Sequence, residues 1–60
     1  MPEHADLAAA MRVAYPNLTE WAATVQLERD AGIPRDTIAL YLDGLTPGPR
    51  HAAKIEKALR

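Results

Sequence analysis

The sequence predicts an all-α fold, a compact bundle of four or five short helices. Apolar residues recur at i, i+3 and i+4 along most of the sixty residues, the spacing that lines one face of a helix. Prolines and glycines stand between those stretches, where they close one helix and open the next. No segment alternates with period two, and the β-branched residues are scattered, so nothing favours a sheet.

The first helix is expected over about residues 3–14. Pro2, Glu3 and Asp6 suit an opening turn, where a missing N–H costs nothing and carboxylates meet the positive end of the helix dipole. Leu7, Ala10, Met11 and Ala14 form its apolar stripe, and Tyr15-Pro16 ends it, with Tyr15 as a lid over the first two helices. A second helix follows over 18–31. Asn17 with Glu20 three residues on resembles a capping box, and Leu18, Trp21, Ala22 and Val25 then fall on one stripe. That stripe places Trp21, the single tryptophan, in the core.

Gly32 stops the second helix and a third opens at Pro34 or Arg35, over about 34–42, in which Ile38, Tyr41 and Leu42 turn inward. Its outer face is then Asp36, Ala39, Leu40 and Asp43. Only about two turns fit there, too few for a helix to stand alone, so its neighbours must hold it. Gly44 supplies the left-handed stop. The rigid stretch Leu45-Thr46-Pro47-Gly48-Pro49 leads into a fourth helix over 48–59, capped by Thr46 or Gly48, with Ala52, Ile55, Ala58 and Leu59 on its apolar side.

Length and composition narrow the function classes. Sixty residues make one domain, 1–60, which buries only about 60% of the surface its unfolded chain exposes. There is no cysteine, and His4 and His51 lie 47 positions apart, so neither a disulfide nor a metal-ligand pattern is expected. Both histidines read as ordinary surface residues. No phosphate-cradling glycine loop is present either, and a helical domain of this size has little room for a substrate pocket. An enzyme is therefore not expected, nor a cofactor. No apolar run reaches the roughly 20 residues that cross a bilayer, and the start of the chain lacks a signal-peptide pattern, which predicts a cytoplasmic protein with no membrane partner.

Charge is unevenly placed. Residues 1–43 carry three basic side chains against seven acidic ones, net −4, whereas the last seventeen carry Arg50, Lys54, Lys57 and Arg60 against Glu56 alone, net +3. A polyanion is attracted to the C-terminal part and repelled elsewhere. Arg50, Lys54 and Lys57 share one stripe with His51 near its start, a pattern that suits phosphate contacts and equally suits the solvated face of an amphipathic helix with its cations near the C-terminus.

Gly32-Ile33, Thr37-Ile38, Tyr41 and Asp43-Gly44, followed by Ile55 and Ala58-Leu59, resemble the lambda-repressor-like helix-turn-helix family of phage Cro and repressor proteins and small bacterial regulators. The likeness covers roughly residues 20–59. It implies that Gly32, Ile38, Tyr41 and Gly44 fix a recognition helix within the bundle. It implies double-stranded DNA as partner, the helix in the major groove of an operator, and a homodimer formed through the first or last helix. Base contacts would come from Arg35, Asp36, Ala39 and Leu40, and phosphate contacts from Arg50, His51, Lys54 and Lys57.

Several positions depart from the family pattern. Glu28 stands where relatives carry a small residue between the two helices, so it either swings outward or opens the pair. If Thr19 begins the second helix, that helix is about one turn longer than usual. The connection after Gly44 is about one residue short. Relatives expose Ser, Thr, Gln, Asn, Arg or Lys on the reading face, whereas this chain exposes two aspartates, Ala39 and Leu40 beside one arginine. That acidic and apolar face supports a second reading, a protein-binding module of the inhibitor or antirepressor kind on the same scaffold.

Overall fold

The described residues fold into four helices: α1 (Glu3–Ala14), α2 (Glu20–Ala31), α3 (Arg35–Leu42) and α4 (Pro49–Ala58). The computed structural model describes the backbone of residues 3–60 and the side chains of residues 7–60. The expectations that rest on Pro2 and on the side chains of Glu3, His4 and Asp6 therefore lie outside the described residues. No strand occurs among those described. Among the described residues the bundle is all-α, with four helices rather than five.

Each boundary has a local cause. Tyr15 N–H donates to the Met11 carbonyl at 2.8 Å and closes α1; Pro16 and Asn17 then occupy a turn in which Leu18 N–H donates to the Tyr15 carbonyl at 3.2 Å. Because Asn17 is used in that turn, it does not cap α2. Thr19 does so, its hydroxyl accepting the Ala22 N–H at 3.1 Å, so the expected start at residue 18 moves to Glu20. At the other end Gly32 adopts φ 68°, ψ 34° and donates to the Glu28 carbonyl, the left-handed cap that favours glycine. After α3, Gly44 N–H donates to the Tyr41 carbonyl and Leu45 N–H to the Leu40 carbonyl, with Gly44 at positive φ. That pair of bonds is a Schellman closure. Gly48 is the N-cap of α4 and Pro49 its first residue.

Helix α2 is the hub: it packs on α1, α3 and α4, while α1 also packs on α3. The core is Leu7, Met11, Ala23, Leu27, Ala31, Ile33, Ile38, Tyr41 and Ile55, with Tyr15, Leu42, Ala58 and Leu59 half-buried against it. The inward stripes expected for α1, α3 and α4 lie on this core, with Ala10, Ala14 and Ala52 at its margin. For α2 the expectation fails. Leu18 and Trp21 are exposed, Trp21 by 64%, and Ala22 and Val25 only half-buried. The buried face is Ala23, Thr24, Leu27 and Ala31. Two alanines on that face let neighbouring helices approach closely, which an indole would prevent. Thr24 tolerates burial because its hydroxyl donates to the Glu20 carbonyl at 2.9 Å.

Tyr15 does act as a lid, and a polar one. Its hydroxyl donates to Asp30 Oδ2 at 2.8 Å, while Gln26 Nε2 donates to Asp30 Oδ1 at 3.1 Å. Partial burial first, then the bond and charge of Asp30, push the Tyr15 phenol up from 10.0 to about 12. An unfolded tyrosine loses its proton near pH 10 while the folded one keeps it, so this contribution is whole below pH 10 and drains away as pH rises to about 12. Alkaline denaturation measured against Tyr15→Phe should show the wild type losing stability more steeply across that window. Parallel curves would mean that folding does not raise the Tyr15 phenol.

Candidate functional site

The outer face of α3 meets α2 in an open groove of about 920 Å³ lined by Glu20, Trp21, Thr24, Arg35, Asp36, Ala39, Leu40, Leu42 and Asp43. All four expected base-contact residues, Arg35, Asp36, Ala39 and Leu40, line it and are exposed. No lining residue comes from α4. The groove lining thus combines the apolar side chains of Trp21, Ala39, Leu40 and Leu42 with the carboxylates of Glu20, Asp36 and Asp43, beside Thr24 and Arg35.

Glu28 resolves the question its position raised. Its carboxylate reaches forward over the turn to α3, where Oε2 accepts the Arg35 backbone N–H at 3.1 Å and Oε1 lies 3.5 Å from Arg35 Nε. Pro34, the N-cap of α3, makes no side-chain cap bond. A carboxylate from the preceding helix does that work instead, and its charge sits at the positive end of the α3 dipole. On its other side Arg35 stacks over Trp21, with Cζ 5.0 Å from the ring centroid. Arg35 is therefore clamped between Glu28 and Trp21 rather than swinging free. Trp21 belongs to this surface, and the core stripe read for it hid that role; the signal lay in Ala23, Leu27 and Ala31, which form a competing stripe at i, i+4 and i+8.

The motif residues divide by task. Gly32 and Gly44 set the two ends of the α3 segment, Ile38 is fully buried, and Tyr41 is buried behind it. The Tyr41 hydroxyl and His51 Nδ1 hydrogen-bond across the α3–α4 gap, and the rings meet edge to face with centroids 5.7 Å apart. His51 is accordingly half-buried, not an ordinary surface residue. Arg50, Lys54 and Lys57 are exposed along α4, and none of them enters an ion pair among the described residues. Glu56 pairs with Arg60 at 3.0 Å.

No helix among the described residues is long and apolar enough to cross a membrane. Comparison with family models, with curated proteins and with solved structures finds no match to this chain.

Proposed function

We propose that the chain is a sequence-specific DNA-binding protein, a small transcriptional regulator or phage-type accessory factor that inserts α3 into the major groove. The observation that carries this reading is the unit formed by α2, the turn at residues 32–34 and α3. A left-handed Gly32 and the buried Ile33 and Ile38 hold an eight-residue helix rigidly with its outer face open, and the major groove admits a helix of this kind. Arg35 in the first turn of α3 suits a guanine or a phosphate, Asp36 a cytosine amino group, and Ala39 and Leu40 thymine methyls. Arg50, Lys54 and Lys57 supply the phosphate contacts, while His51, engaged with Tyr41, braces α3 against α4. Two copies would read half-sites about 34–36 Å apart, in the cytoplasm of a bacterial or phage-infected cell.

Selection from random duplexes by mobility shift tests the reading. It should return a palindrome with half-sites one helical turn apart. Arg35→Ala should cost roughly 1–3 kcal/mol of specific affinity, and Lys54→Ala should weaken all sequences alike and lower the salt slope by about 1. Affinity that does not respond to salt would overturn it.

A further inference from the structure

The groove between α2 and α3 is also lined by Glu20, Trp21, Leu42 and Asp43, to which the DNA reading gives no role. Trp21 is 64% exposed and Leu40 53%, and with Ala39 and Leu42 they make an apolar strip. Large apolar side chains exposed in one groove are the mark of a surface that takes a partner. Three carboxylates, Glu20, Asp36 and Asp43, line the same groove, and none enters an ion pair among the described residues. Among the described residues the one cation lining the groove, Arg35, is held by Glu28 and Trp21.

The geometry points to this groove as the docking site of a second protein, through a cationic amphipathic helix whose large apolar side chain seats against Trp21 and Leu40. Lysines or arginines beside that anchor then face Glu20, Asp36 and Asp43, as helix-in-groove recognition combines apolar anchors with complementary charge. A second copy of the chain fits less well. Its basic helix α4 exposes Arg50, Lys54 and Lys57, but the apolar residue beside them is only Ala53, too small to fill the strip. The docked helix covers Arg35, Asp36, Ala39 and Leu40, so it excludes DNA from α3 and serves as a release signal. The docking itself stands without the DNA reading.

The test uses the full chain and the emission of Trp21, its single tryptophan. The probe is a short synthetic helix with leucines at i and i+4 flanked by lysines, compared with the same helix carrying glutamates for lysines. The lysine peptide should give a saturable one-to-one response that the glutamate peptide does not. Leu40→Glu should weaken it about tenfold or more, since a charge replaces the apolar seat. Leu40 is exposed, so that variant keeps its helical circular dichroism. An Asp36→Lys, Asp43→Lys double variant should exchange the preference between the two peptides.

Three results would overturn the proposal. One is lysine-peptide affinity unchanged by Leu40→Glu. Another is Trp21 emission that answers a short DNA duplex and ignores both peptides, which would make the groove a nucleic-acid face. The third is a concentration-dependent dimer, seen by sedimentation, that abolishes the peptide response. Failure of the operator selection alone leaves the peptide titration to be read on its own terms.

Discussion

Ile38→Ala should leave most of the chain unfolded at room temperature. Ile38 is completely inaccessible to solvent, as Leu27 is, and Ile33 nearly so. Truncating such a residue removes its transfer free energy and leaves a cavity, together costing about 2–5 kcal/mol. A single core in a domain of this size rarely supplies more than about 3–5 kcal/mol. The loss therefore matches the whole margin of stability. It also falls on α3, whose eight residues cannot stay helical without tertiary support. Ile38→Val, costing about 0.5–1.5 kcal/mol, should stay folded with a lowered melting temperature. Circular dichroism melts of the two variants against the wild type decide the matter. If Ile38→Ala melts with the wild type, the fold is keyed elsewhere.

The helix ends were legible because each rests on a few adjacent residues with strong preferences. A glycine after a helical stretch and a proline before one have few alternatives, and Gly32, Gly44 and Pro49 behave accordingly. The inward faces of α1, α3 and α4 were legible because each has one apolar stripe. Helix α2 has two. Leu18, Trp21, Ala22 and Val25 form the bulkier, and bulk argued for burial, but a hub helix touching three neighbours favours the small residues Ala23 and Ala31 around Leu27. That choice depends on how closely helices pack, which no local pattern of one helix encodes.

Asn17 illustrates a different limit. Its spacing to Glu20 fits a capping box, yet Pro16 draws it into a turn and Thr19 takes the cap. Two signals competed for one residue, and the proline had the stiffer claim. At the candidate site, the exposed face of α3 followed from the helix period alone. The clamp on Arg35 did not, because it joins residues seven and fourteen positions away, Glu28 and Trp21, through the angle between two helices.

Glu28→Ala should destabilise the chain by about 0.5–2 kcal/mol, the range for losing a helix cap, and lower the melting temperature by roughly 4–8 °C for each kcal/mol. The effect should exceed that of Arg35→Ala, because the two substitutions remove different things. Arg35→Ala deletes an ion pair whose side chains are 46% and 36% exposed, which contributes little, and a stack on the exposed Trp21 ring worth about 0.5–1 kcal/mol. It leaves the backbone N–H of residue 35 still bonded to Glu28. Glu28→Ala orphans that N–H at the start of α3, where Pro34 has no side-chain group to replace the carboxylate. Glu28→Gln should fall between them, keeping an acceptor oxygen and losing the charge that favours the helix dipole. Raising the salt concentration should narrow the gap between glutamate and glutamine and leave the deficit of alanine relative to glutamine nearly intact. If Arg35→Ala proves as damaging as Glu28→Ala at every salt concentration, the ion pair, not the cap, holds the start of α3.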